Sequence, residues 1–377
     1  MEPSAPRHGG NLQQAAMQLG CRPSALLDLS ASVVPFGPPA SVRWALLQAQ
    51  WPGPTSPLCA YPDRAQTALR QAIAAHHQLD PEAVLPGNGA AELFTWAARD
   101  AAALGTSLLP TPGFADYSRA LDCWQAPRQP LPLQLNGWSA APSSFAEALQ
   151  DADALGRGAV LWITNPHNPT GQLWSRAALE PLLARFALVI VDEAFLPLVP
   201  AGEAQSLLPL LPRHPQLVVI RSLTKLGAIA GLRSGYALAD PQRLARWAAW
   251  RDPWPVNGLA AAVVPALLAD RRWTRRVQAW VARRGPQLRR ELSRLPGLQS
   301  HPSAANYLLL QADRSLLPLQ ERLARRHRIL VRDCRGFEGL DGHWWRLALP
   351  SGQGQRRLLT ALRHELGPDP DPAAHDA

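Results

Sequence analysis

From about Phe36 to Asp240 short apolar runs alternate with longer stretches whose apolar residues recur at helical spacing. AVLPGNG, TSLLPTPGF, AVLWITNP, ALVIVDEA, LVVIRSL and SGYALA have the length and the valine, isoleucine and leucine content of strands buried on both faces. SVRWALLQAQ, AELFTWAARDAAAL and SRAALEPLLARF between them fit helices. Alternation of this kind predicts a mostly parallel sheet covered on both sides. Before it, residues 1–35 form an arm holding HGGN, a short helix over Leu12 to Leu19, and LLDLSASVVPFG. From about Pro241 to residue 366 the pattern changes to long helices followed by ANYLLLQ, RILVRD and WWRLAL, a smaller α+β domain. The tail 367–377, GPDPDPAAHDA, is rich in Pro and Asp and reads as disordered. The predicted class is α/β, a large domain with a mostly parallel sheet plus a smaller α+β C-terminal domain.

Charge alters this picture little. The formal net charge is +9, concentrated in RRWTRRVQAWVARRGPQLRRELSR, Arg271 to Arg294. Trp273, Val277, Trp280, Val281, Leu288 and Leu292 recur there at helical spacing, which predicts an amphipathic helix broken at Gly285-Pro286 with arginines on its wet face. No nucleic-acid module signature accompanies it, so a solvated face is the simpler reading. Four scattered cysteines without a CxxC pair argue against a disulfide framework or a zinc site and fit a reducing cytoplasm. MEPSAPRHGGN lacks the apolar core of a secretion signal, and no apolar run reaches the length of a membrane span.

In an open parallel sheet ligands collect outside the carboxyl ends of the strands. The polar groups that end the apolar runs are Gly87-Asn88-Gly89, Thr111 to Phe114, Asn165 to Gly171, Asp192-Glu193 and Ser222 to Lys225, and all should face one crevice. The helix beginning near Gly89, Ala90 and Ala91 offers free N–H groups to a phosphate. Asp192, taken by itself, is equally a helix cap or a site residue. In NPHNPTG two Asn-Pro steps force an extended, turn-rich loop with its Asn side chains outward.

Lys225 is the one lysine among 38 Lys+Arg residues. The chain therefore has no second lysine for a phosphate-binding GxxxxGK[ST] or a KTG element, which removes the P-loop reading and the SxxK acyl-enzyme reading of Ser222-x-x-Lys225. What lysine does and arginine does not is lose its proton and form a Schiff base, helped by a cationic neighbour such as Arg233. A phosphate cradle, such a lysine, and an acid able to hold a pyridinium nitrogen describe a pyridoxal-phosphate site. Asn168 would bond the ring's phenolic oxygen, and Phe114 would stack on the ring face.

NPHNPTG, VDEAF, SLTK and GLRSGY together resemble the fold-type I pyridoxal-phosphate enzymes of the class I/II aminotransferase superfamily, from about His8 to Leu366. HGGN, TPGFADYSRAL, DPWPVNGLAA, ANYLLL and ILVRDC followed by WWRLAL are most similar to its threonine-phosphate decarboxylases of cobalamin biosynthesis. The histidinol-phosphate aminotransferases share the central motifs, lack the HGGN arm, and typically carry tyrosine where Phe195 stands. The resemblance implies that Lys225 is the cofactor lysine, and that Ser222, Arg233 and the Gly89-Ala90 helix start hold the cofactor phosphate. It implies that Tyr61 reaches that phosphate from the other subunit of a homodimer, and that Asp192 and Asn168 hold the ring. His8, Gly9, Ser32, Asn168, Arg332 and Arg346 would contact O-phospho-L-threonine, with Arg346 on the α-carboxylate and Arg332 with His8 on the phosphate. Ser32 and His167 stand where the family usually has Asn. The bond held perpendicular to the ring decides between loss of CO2 and transamination. A basic nucleic-acid-binding protein on the same fold is the distant alternative.

Overall fold

The computed structural model describes residues 9–133, 135 and 158–367 of the chain. Its strands in chain order are β1 (Leu27–Asp28), β2 (Val84–Asn88), β3 (Ser107–Thr111), β4 (Arg128–Pro132), β5 (Val160–Thr164), β6 (Leu188–Asp192), β7 (Leu217–Ser222) and β8 (Ser234–Ala239). They continue with β9 (Leu298–Ser300), β10 (Tyr307–Ala312), β11 (Ile329–Leu330), β12 (Arg332–Asp333) and β13 (Trp344–Ala348). Seven of them form one sheet in the order β2-β8-β7-β6-β5-β3-β4. Every neighbouring pair is parallel except those that β8 makes with β2 and β7. β5, β6 and β7 are buried along their whole length, which is why their sequences read as unbroken apolar runs rather than alternating ones.

Each predicted strand of this sheet is present, and β4 is the addition. RQPLP exposes four of its five residues, so it lacks the apolar run that marks an inner strand; it pairs only with β3, at the sheet's edge. In register, Thr164 of β5 lies opposite Asp192 of β6, and Ser222 of β7 lies opposite Gly235 of β8. This common level fixes the floor of the crevice.

The C-terminal part forms an antiparallel sheet in the order β12-β13-β10-β9. β1 of the N-terminal arm pairs in parallel with β11, tying residues near 28 to those near 330. Helix Arg271–Leu292 is continuous, contrary to the expected break at Gly285-Pro286. Trp273, Val277, Trp280, Val281, Gly285, Leu288 and Leu292 are all buried, so both halves are held to one apolar seat. That burial outweighs the roughly 3 kcal/mol that an interior proline costs. Among the described residues no helix is long and apolar enough to cross a membrane.

Candidate active site

A cavity of roughly 450 Å3 opens at the carboxyl ends of the strands, lined among others by Lys225, Asp192, Asn168, Phe114, Arg233 and Arg346. One end of it is shaped by backbone. Gly89 has φ +78° and precedes the helix Ala90–Ala102. A Cβ at Gly89 would lie 2.6 Å from Nη2 of Arg233, so only glycine lets that guanidinium close over the helix start. Gly235 repeats the condition on the next strand, where a Cβ would lie 2.7 Å from the Ala90 nitrogen. Arg233 itself sits at φ +53°, a strained setting for a long side chain, which aims it across the turn.

Lys225 follows β7 and its Nζ donates to Ser222 Oγ at 3.2 Å, while Ser222 Oγ is bonded to Thr224 Oγ1 at 2.8 Å. Burial pulls the lysine pKa below its ordinary value; Asp192 opposes this, and Arg233 and Arg346 add to it. The expected influence of Arg233 is therefore present, but it ranks behind desolvation. The Lys225 ammonium also lies 5.5 Å from the centre of the Phe195 ring.

Asp192 is buried at the end of β6. Its Oδ2 accepts from Tyr117 Oη at 2.7 Å and its Oδ1 from the Ala194 N–H at 2.9 Å. Tyr117 Oη is also bonded to Thr164 Oγ1 at 2.7 Å. Burial raises the carboxyl pKa, against the Tyr117 bond, the Lys225 charge and the Ala194 N–H. The Tyr117 hydroxyl is pushed well up by burial and by that same carboxylate, so it remains a donor. Tyr117 and Thr164 are functional neighbours that sequence reasoning missed. Thr164 was detectable as the cross-strand partner of Asp192, and Tyr117 as the residue one helical turn after Phe114.

Two sequence expectations need correction here. Glu193 does not face the crevice. Strand alternation turns it to the other side of the sheet, where Oε2 pairs with Arg221 Nη2 at 2.7 Å and its oxygens also accept from Ser206 Oγ and Leu207 N. Nor do both asparagines of NPHNPTG point outward. Asn165 is fully buried and clamps the Trp174 backbone, accepting from its N–H at 2.9 Å and donating to its carbonyl at 3.0 Å. Asn168 alone reaches the cavity, and its Oδ1 accepts from Arg346 Nη1 at 2.6 Å.

Another wall is carried by β12 and β13 of the four-stranded sheet, where Arg332 and Arg346 are register partners. Both guanidiniums lie over the Phe337 ring, at 5.3 and 5.8 Å from its centre. Burial and then the Arg346 charge push Arg332 down to about 10, and burial lowers Arg346. Arg346 lines the cavity; Arg332 stands beside it on the adjoining strand. Gly9 and Ser32 also line it; a Cβ at Gly9 would meet the Ser30 carbonyl oxygen at 2.5 Å, and Ser32 Oγ is buried with no hydrogen-bond partner. Phe114 borders it, set edge-on to Tyr117 with ring centres 5.5 Å apart. His167 is turned away. Its Nδ1 is bonded to Thr170 Oγ1 at 2.8 Å, and burial drives it down to about 3, so it is neutral. Tyr61 is 81% exposed, stacks on Trp254, and is outside this cavity of the single chain. His8 and the tail from 368 onward lie outside the described residues.

The family model for aminotransferase class I and II matches residues 24–362. The chain belongs to the class I and II aminotransferase family. Among its relatives, the threonine-phosphate decarboxylase of Salmonella typhimurium is 37% identical over 95% of this chain and 96% of that protein. A histidinol-phosphate aminotransferase of Symbiobacterium thermophilum is 32% identical over 97% of each chain. The solved histidinol-phosphate aminotransferase of Sinorhizobium meliloti in complex with pyridoxal-5'-phosphate has the same fold, with TM-score 0.81 and 20% identity over 96% of this chain and 97% of that one. The cofactor of this member of the family is pyridoxal 5'-phosphate. The residues present fit it: a cradle that a Cβ would fill, one lysine amine with depressed pKa, and a buried carboxylate with a free approach from the cavity side.

Proposed function

We propose that the protein decarboxylates O-phospho-L-threonine, releasing CO2 and (R)-1-aminopropan-2-yl phosphate for cobalamin assembly. The observation that carries this reading is the pair Arg332 and Arg346. Both guanidiniums lie over one phenylalanine ring, burial and the Arg346 charge lower Arg332, and the proposed substrate has a carboxylate and a phosphate to offer the pair. The 37% identity to a threonine-phosphate decarboxylase supports it from the side of sequence.

Pyridoxal phosphate, when bound, supplies the electron sink for the bond that breaks at Cα. The chain's own residues do the rest in this reading. Gly89, Ala90, Ser222 and Arg233 bind the cofactor phosphate. Asp192, oriented by Tyr117 and the Ala194 N–H, holds the ring nitrogen's proton. Asn168 bonds the ring oxygen through the amide end left free by Arg346, and Phe114 covers the ring face. Arg346 fixes the substrate carboxylate, and Arg332 with His8 fixes its phosphate, with Gly9 and Ser32 closing the arm side. Lys225, with its pKa lowered, would hold the cofactor until the substrate amine takes its place, and its freed amine, protonated in that exchange, would return a proton to Cα after CO2 leaves.

The division proposed is an arm over 1–35, a cofactor domain over 36–240 and a small domain over 241–366, working in the cytoplasm. A homodimer completes the site, Tyr61 of each subunit reaching the other's cofactor phosphate. Exposed Trp44, Leu47, Trp51, Leu58 and Tyr61 form the apolar surface for it. Mixing inactive Lys225→Ala and Tyr61→Ala chains tests this: shared sites restore activity in the heterodimer, and no recovery refutes sharing.

Incubation with O-phospho-L-threonine and measurement of CO2 tests the reaction. Transfer of the amino group to 2-oxoglutarate without CO2 would instead favour the second reading, a histidinol-phosphate-type aminotransferase, which the 32% identity supports.

A further inference from the structure

Away from the catalytic cavity the chain gathers positive charge without matching acid. Most buried or half-buried arginines are paired: Arg119 with Asp116, Arg221 with Glu193 and Glu203, Arg243 with Asp100, Arg322 with Glu365. Arg43, Arg272, Arg276 and Arg283 are different. They are exposed, and among the described residues none has a carboxylate partner. They do not fan out into solvent along a convex face. They border a groove of two lobes, roughly 330 Å3 beside Arg43 and Arg272 and roughly 400 Å3 beside Arg283 and Arg284. Phe36 and Arg276 belong to both lobes and mark where they meet.

The floor is apolar and rigid. Phe36 is set edge-on to Trp273 and to Trp280, with ring centres 5.3 Å apart in each case. The Arg276 guanidinium lies 4.9 Å from the centre of the Phe36 ring, a contact that holds it over the groove. In the larger lobe Arg284 is half-buried; its Nη1 donates to Gln287 Oε1 at 3.0 Å, and its Nε is buried with no partner. A Cβ at Gly352 would lie 2.9 Å from Nη2 of Arg284, so the glycine leaves the guanidinium its place. The one acid bordering the groove is Asp270. Both its oxygens are engaged, Oδ2 by Ser41 Oγ at 2.7 Å and Oδ1 by the Trp273 N–H at 2.8 Å, so it forms no ion pair with the arginines, and its one negative charge is outnumbered by theirs.

We propose that this groove binds a small polyphosphate, with its phosphates divided between the two lobes. Guanidinium forks suit phosphate oxygens, and a low-dielectric aromatic floor strengthens each charge-assisted bond. Two arginine-bordered lobes on either side of Arg276 suit an extended ligand with several phosphates better than a single one. A single-stranded nucleic acid fits less well. Its bases need exposed aromatic faces on which to stack, whereas Trp273 and Trp280 are 6% and 7% exposed. The groove shares no arginine with the catalytic cavity, so its occupancy is separable from turnover.

The test is calorimetric titration of the holoenzyme with inorganic triphosphate at fixed ionic strength. Saturable binding is expected, weakened at least tenfold by Arg276→Glu and also by the milder Arg283→Gln, which leaves helix and floor intact. Arg294→Glu, just past the C-terminal end of that helix and outside the groove, is expected to bind as the parent does. The proposal is overturned by no saturation with triphosphate, or by equal weakening by Arg294→Glu, which is the mark of general charge screening on a solvated face. Binding of a single-stranded oligonucleotide through these same arginines without triphosphate saturation overturns it as well.

Discussion

Replacing Tyr117 by Phe removes one oxygen and keeps the ring. The ring is packed edge-on against Phe94 at 5.0 Å and beside Trp162 at 5.2 Å, so the change opens no cavity and its effect is that of the lost hydroxyl. That hydroxyl gives the 2.7 Å bond to Asp192, one of two hydrogen bonds that this buried carboxylate receives from the protein. A bond to a charged acceptor contributes about 1.5–3 kcal/mol, and one to a neutral acceptor about 0.5–1.5 kcal/mol. The cost of Tyr117→Phe therefore depends on the charge of Asp192, and so on pH. The sign follows from linkage. Burial holds the native pKa of Asp192 above its unfolded value, so ionising it in the native state lowers stability as pH rises past the unfolded value, and the Tyr117 bond limits that loss. Urea denaturation of cofactor-stripped protein should show Tyr117→Phe less stable by about 1.5–3 kcal/mol near pH 8 and by a smaller margin near pH 5. A loss that is equal at the two pH values, or larger at the acid one, would refute the reasoning, because it would mean that Tyr117 does not act through the ionised carboxylate.

Lys225→Arg keeps the positive charge and loses the removable proton; the visible absorbance of the bound cofactor should disappear and turnover should fall to background, and a retained band would contradict the assignment. Gly89→Ala forces a Cβ to within 2.6 Å of Arg233 at φ +78° and ψ 166°, a region kept for glycine, so it should destabilise by about 1–3 kcal/mol and loosen the cofactor, as read by equilibrium dialysis. Glu193→Gln breaks the buried pair with Arg221; because Glu203 remains a partner, the loss in urea should be about 3 kcal/mol, the low end for such pairs, with KM unchanged.

What the sequence disclosed was decided by strand ends. A strand buried on both faces announces itself as an apolar run, and the first polar residue after it must stand at the sheet's carboxyl edge. Thr111 and Asp192 are therefore placed without any knowledge of their partners, whereas after the run of β7 Arg221 comes first and Ser222 second. Direction was harder to read. Asp192 and Glu193 are neighbours of the same charge type, but strand alternation sends one to the cavity and the other through the sheet to Arg221. In NPHNPTG the two asparagines look equivalent until Asn165 is seen to satisfy both ends of its amide on one backbone residue. Such choices rest on which partner lies nearby in space, and Trp174 and Arg221 bring no local mark that pairs them with these side chains.

Contacts between segments far apart in the chain bind the site into one unit. Arg346 Nη1 reaches Asn168 on the large-sheet side, its Nη2 reaches the Ser30 carbonyl of the arm at 3.2 Å, and its guanidinium lies 5.1 Å from the centre of the Tyr307 ring. Tyr307 Oη in turn donates to the His167 carbonyl at 2.8 Å, one residue before Asn168. Arm, loop and small sheet thus meet on one guanidinium, so that side chain has a structural task besides the anion binding proposed for it. Lysine at 346 would keep the charge but supply a single point in place of the two-armed fork, and it would have to choose between Asn168 and Ser30. Arg346→Lys should therefore raise KM for a carboxylate-bearing substrate and also lower thermal stability. If Arg346→Lys raised KM but kept the parent's melting temperature, the fork at 346 would not be what joins the three segments.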